Sequence, residues 1–199
     1  PFRSYLAQIA NGPAGADTSL QSVLQFQGLL KYREAEVVLR LFDQAGIPLT
    51  LDLSGHEDSV FEFTLVGRAA RHLVSDGLSN ELAVGYATIE SGLPIAAQSI
   101  LRTLDLNGKP LHEAGVEATG GRPTVRMPVE RNPLTGLNSG VAVVNVGDKQ
   151  TLVIIGLIDE SGEKPEGLFN APDFFLQPGE HRAVFLTELF DFLVDKPFF

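Results

Sequence analysis

The sequence predicts an all-β fold: two tandem antiparallel β-sandwich modules, Ig-like in plan, the second incomplete and ending in a short helix. Three observations carry that expectation. Apolar and polar residues alternate along most of the chain, the period of a strand with one buried face. A turn of the form Asp-x-x-Gly followed by proline occurs three times, at Asp43, Asp105 and Asp159. The layout of residues 19–46 (strand, connector, strand, turn) returns about 120 residues later in residues 139–162. Such repetition says that one structural unit is used twice.

In chain order, residues 5–10 read as a first strand, closed by the turn residues Asn11, Gly12 and Pro13. Leu20, Leu24 and Phe26 alternate with Gln21, Gln25 and Gln27. Val37, Leu39 and Leu41 alternate with Glu36, Val38 and Arg40, and Ile47, Leu49, Leu51 and Leu53 continue the pattern. After a polar loop at residues 55–58, Phe61, Phe63 and Leu65 resume it, Gly67 ends that strand, and residues 69–74 make the next. Helical spacing is not sustained anywhere in this half. In each Asp-x-x-Gly turn the aspartate can accept from the backbone two residues on, and glycine takes the positive φ that closes a hairpin. Calcium ligation is the competing role for these aspartates, and the loops lack the alternating Asp/Asn ligands it needs.

In the second half, residues 125–132 read as the opening strand. Residues 139–146 and 151–158 match the paired strands of the first half, with Pro13 falling on Pro133 and Ser19 on Ser139. Gly179 falls on Gly67. Leu24, Phe26, Leu39, Leu41, Val144, Ile154 and Phe175 are the expected core. Leu186, Leu189, Phe190 and Leu193 share one helical face over residues 187–193, with Thr187 as N-cap. Stretches without apolar periodicity at residues 118–123 place the module boundary there, giving modules of 1–120 and 121–199.

The motif from Leu82 through Gly85-Tyr86-Ala87 and Pro94 to Ile100 resembles the strand pair closing each unit of a β-sandwich repeat. Such repeats occur in uncharacterised exported and cell-surface proteins of bacteria. Residues 125–145 resemble the opening of the next unit, and residues 177–190 a later part of it. The resemblance implies an extracytoplasmic, secreted or cell-surface location, and it brings no catalytic residue with it. By the same pattern the second unit stops just before its own closing strand pair.

Function follows by exclusion and by that incompleteness. The 199 residues carry a net charge of −10, which disfavours nucleic acid and anionic membrane surfaces. No apolar run is long enough for membrane insertion as a helix. There is no cysteine, hence no disulfide or thiolate site. No nucleophile elbow, zincin motif or phosphate loop is present, and His56, His72, His112 and His181 lack metal-ligand spacing. The expectation is therefore no enzyme, no cofactor and no metal, but a structural or adhesive module, a subunit of an oligomer or filament. Its partners would be other subunits or neighbouring repeats, self-association included. Phe190, Phe192, Phe198 and Phe199 are the expected partner contacts, the alternative being a plug over the open end of the sandwich. A carbohydrate-binding module is the second possibility, weakened by the absence of tryptophan and by only three tyrosines for stacking.

Overall fold

Alternation becomes ladder almost throughout the first unit, Pro1–Gly121. The structure, a computed structural model, describes residues 1–159, 161–162 and 171–198 of the chain. Ten strands make up the first unit: β1 (Phe2–Pro13), β2 (Thr18–Gly28), β3 (Glu34–Asp43), β4 (Leu51–Asp52), β5 (Glu57–Asp58), β6 (Val60–Val66), β7 (Ala70–Val74), β8 (Ala83–Ser91), β9 (Ile95–Asp105) and β10 (Pro110–Glu117). All pairings are antiparallel.

Eight of the ten strands lie in two layers of a sandwich-like unit, and β4 pairs with β5 in a separate ribbon. One layer runs β1-β8-β3-β6, and the other runs β10-β9-β2-β7. β1 joins them, since its first part pairs with β8 while Gly12 and Pro13 pair with β2. The inward positions of β3 and β6 (Val37, Leu39, Leu41, Phe61, Phe63, Leu65) meet Leu24, Phe26 and Leu73 of the other layer in one buried cluster. Burial of these large side chains is the main force holding the layers together.

Two expectations for this unit change. The strands around Tyr86 and Ile100 do not pair with each other: β8 lies between β1 and β3, whereas β9 lies between β2 and β10. Pro94 has no N–H to give a ladder, and the Ser91 hydroxyl donates to the Leu93 carbonyl at 2.8 Å, so the chain turns a corner from one layer to the other. Residues 47–53 alternate in sequence but form only the short β4, because Ile47 is drawn into the Asp43 turn and is exposed.

The three aspartate turns close as their residues require. The Asp43 carboxylate accepts from the N–H of Ala45 and Ile47 at 2.9 and 2.8 Å. Asp105 accepts from Asn107 and Lys109 at 2.8 and 2.9 Å, and Asp159 accepts from Ser161 at 2.9 Å. Gly46, Gly108 and Gly162 take φ of +80°, +76° and +83°. The N–H donors, that of Lys109 foremost, hold the Asp105 carboxyl below the usual carboxylate range.

The second unit, Arg122–Phe199, has shorter strands: β11 (Arg131–Asn132), β12 (Leu137–Asn138), β13 (Gly140–Val144), β14 (Thr151–Val153), β15 (Phe174–Leu176) and β16 (His181–Phe185). Among the described residues they form three two-stranded ribbons, β11–β12, β13–β16 and β14–β15. Its core is Leu157, Ala171, Leu186, Leu189, Phe190 and Leu193. A four-residue helix α1 (Leu186–Leu189) is followed by a 3-10 turn at Asp191–Leu193.

Here the register corrects several expectations. Val37 of β3 faces Phe63 of β6, and Val153 of β14 faces Phe174 of β15. Glu36 faces Thr64 as Leu152 faces Phe175, and Ala35 faces Leu65 as Thr151 faces Leu176. Phe175 thus takes the outward place of Thr64 and is 61% exposed, while Leu176 is buried. Gly179 stands one residue further along than Gly67 does after its strand. Ile154 is also outward, at 63% exposed; Ile155 and Leu157, which follow the spacing of Leu39 and Leu41, face the core. In the other ribbon Val141 faces Val184 as Leu24 faces Leu73, and both valines pack on the core. Val144, expected there instead, is half-buried.

Two further corrections concern segments rather than faces. Residues 125–130 form no strand, and only Arg131–Asn132 does. The helix starts at Leu186, with Phe185 rather than Thr187 as N-cap; the Glu188 carboxylate accepts from the Phe185 N–H at 2.6 Å, and the Thr187 hydroxyl accepts from the Asn138 amide at 2.9 Å. Phe190, at φ −135°, breaks the helix and drops its ring into the core.

Candidate association surface

The C-terminal phenylalanines are held by their own unit. Phe190 is 2% exposed, so it is corrected from partner contact to core residue. Phe192 stacks edge-on against it at 6.1 Å, and both Phe192 and Phe198 pack partly buried on the same core. Phe199 lies outside the described residues. Arg131 ties this segment down. Its N–H donates to the Phe198 carbonyl and its own carbonyl accepts from the Phe198 N–H, both at 2.8 Å. Its guanidinium donates to the carbonyls of Leu193, Leu137 and Val194 at 3.2, 3.1 and 2.7 Å. A cation at the last carbonyls of a helical turn satisfies acceptors that have no partner within it.

The strand edges offer more. β2 is paired on both sides, by β7 and by the full length of β9, and β3 likewise by β6 and β8. In the second unit β13 pairs only with β16 and β14 only with β15 among the described residues. Each therefore presents one row of backbone N–H and C=O groups to whatever can bond them. β10 of the first unit is also an edge, bonded to β9 alone, with seven of its eight residues exposed.

Charged and aromatic groups follow the strand plan. The Arg71 guanidinium lies over the Phe63 ring at 4.8 Å, and Arg182 lies over Phe174 at 4.5 Å. Arg182 thus stands in the second unit where Arg71 stands on β7, with the same charge. His56 is near Asp58, His72 and His112 are exposed on β7 and β10, and His181 is buried on β16. The structure does not bring these four together, and no group of three potential metal ligands occurs among the described residues. The buried Tyr86 stacks on Phe42 at 5.2 Å, and burial pushes its hydroxyl above the usual value.

No protein-family model and no curated protein matches the chain. The chain is similar to the crystal structure of Thermotoga maritima 1070, with 17% identity and a TM-score of 0.36, over 58% of this chain and 90% of that one. A likeness at that level carries no argument.

Proposed function

We propose that the chain is a non-enzymatic structural or assembly module of an exported or cell-surface protein, associating through open sheet edges. In this reading the second unit repeats the Ig-like strand plan of the first and is short of part of it. One observation carries the proposal: among the described residues β13 and β14 have a neighbour on one side only, where β2 and β3 have neighbours on both sides. The matching registers of the ribbons and the twin Arg–Phe contacts support the repeat. Edge pairing uses backbone hydrogen bonds for affinity and alternate side chains for selectivity. The location rests on the sequence resemblance alone.

Light scattering across a concentration series tests association, using Ala142→Pro and Val143→Pro on β13. Neighbouring N–H groups on a strand point to opposite edges, so one of these two variants removes a donor from the open edge and spares the β16 ladder. Wild-type protein should associate with rising concentration, and the proline variant that keeps its melting temperature should not. A wild-type monomer at every concentration, or association unchanged in both variants, sinks the proposal of edge-driven self-association.

A further inference from the structure

In the first unit, β8 and β9 between them supply neighbours to β1, β3 and β2. β8 runs between β1 and β3, pairing Asn11 with Ala83 at one end and Val37 with Ser91 at the other. β9 runs beside β2 from Thr18 to Gly28. The second unit shows three matching deficits. Residues 125–130, which stand where β1 stands, have no ladder, and Val125 and Met127 are exposed. Among the described residues β14 lacks a neighbour on the side where β3 has β8, and β13 lacks one where β2 has β9.

The chain also leads toward this gap. With Pro13 matched to Pro133, Arg131 stands where Asn11 stands. Asn11 pairs with Ala83, the first residue of β8, and Arg131 forms an antiparallel bridge with Phe198. Phe198 thus sits where the first residue of a β8-like strand sits. The core already begins to form beneath it, since Val129, at the position of the buried Ile9, packs on the same cluster as Phe198.

We infer that the gap is a slot for a strand pair of the kind made by β8 and β9, led in from Phe198, with one strand between residues 122–130 and β14 and the other along β13. This rests on the repeat reading above and names the occupant. Its chemistry is set by β8 itself. The positions of Ala87 and Ile89, 0% and 1% exposed, must be apolar to cover the core. A glycine is needed where Gly85 stands, because a Cβ there would come within 1.9 Å of the Phe42 carbonyl oxygen. The same close passage would occur beside Ile158, which holds Phe42's place before its aspartate turn.

The test joins a second copy of residues 85–105 directly after Phe199 and compares it with the 199-residue chain. A control fusion carries aspartate in place of alanine and isoleucine at the added copies of positions 87 and 89. The inference predicts a rise in the second unit's melting temperature of about 5–10 °C. It also predicts amide exchange over residues 125–130 slowed on the order of tenfold, and a monomer in solution, none of these with the control. Equal effects in both fusions, or none in either, overturn it. Slow exchange at residues 125–130 in a dimer of the unextended chain also overturns it, because a second copy would then be the occupant. If the fusion does nothing while a β13 proline abolishes association, the edge-pairing proposal stands and only this inference falls.

Discussion

β3 and β14 begin alike and end differently. Both put their apolar residues in register against a second strand, and both lead into an Asp-x-x-Gly turn. β3 extends over ten residues between two neighbours, and β14 over three beside one among the described residues. The ten-residue strand buries Val37, Leu39 and Leu41 almost completely; Val153 on the short one, and Ile155 just beyond it, remain partly exposed. Local pattern therefore decides which face turns inward, and neighbours decide how far a strand extends and how dry its core becomes.

The sharpest way to break this comparison is to truncate equivalent residues. Leu39→Ala, at a fully enclosed site, should destabilise the first unit by about 2–5 kcal/mol. Ile155→Ala should cost the second unit about 1 kcal/mol, because a partly exposed site has less to lose and can relax. Equal losses in chemical denaturation of the two variants would say that the second core is as complete as the first.

Backbone closeness gives a second contrast. A Cβ on Gly28 would lie 2.1 Å from the Gly67 carbonyl oxygen, so Gly28→Ala must push two connections apart, at about 1–3 kcal/mol. Asn145, just after β13, makes the backbone bond that Gly28 makes at the end of β2: its N–H donates to Glu180 at 2.9 Å, and that of Gly28 donates to Ala69 at 3.0 Å. Its side-chain amide donates to the carbonyls of Lys149 and Leu176 at 2.8 and 2.9 Å. Asn145→Ala should therefore also destabilise, by about 1–3 kcal/mol, through acceptors left unpaired. Thermal melts showing Asn145→Ala harmless would mean that this bond pair is not holding the second unit's corner.

The smallest expected effect is electrostatic. The carboxyls of Asp58 and Asp105 are held below their ordinary values by N–H donors, of Ser59 and of Lys109 first. Groups with lowered folded-state pKa stabilise above the unfolded value, near 4, and that contribution is lost as pH falls through the folded value. The first unit should lose a small part of its melting temperature between pH 5 and pH 3, and Asp105→Asn should flatten that slope. A slope unchanged by Asp105→Asn would remove the β9–β10 turn from the account.

Much of the first unit is legible in the sequence, because strands such as β3 and β6 have one buried face and so show an alternation. The aspartate turns are legible for the same local reason. What is not legible is partner choice: nothing in the Gly-Tyr-Ala motif reveals that β8 and β9 belong to different layers, since that depends on β1 and β2. The continuous apolar run at residues 152–158 hides its own phase. Read against Asp43 and Asp159 it points to Ile155 and Leu157; read alone it points equally to Ile154. In the sequence Phe190 reads equally as a member of a Phe-rich contact patch and as part of the apolar face with Leu186, Leu189 and Leu193; its burial selects the second. Opening-strand chemistry at residues 125–130 does not become a strand without a neighbour to bond.

Amide hydrogen exchange across both units tests the central claim most directly. Amides of β2 and β3, bonded on both sides, should exchange only with opening of the whole first unit. Those of β13 and β14 facing the open edge should exchange far faster than their counterparts, with residues 125–130 faster still. Equal protection of β13, β14, β2 and β3 in the monomeric chain would contradict the account, for it would mean that the second unit has no open edge.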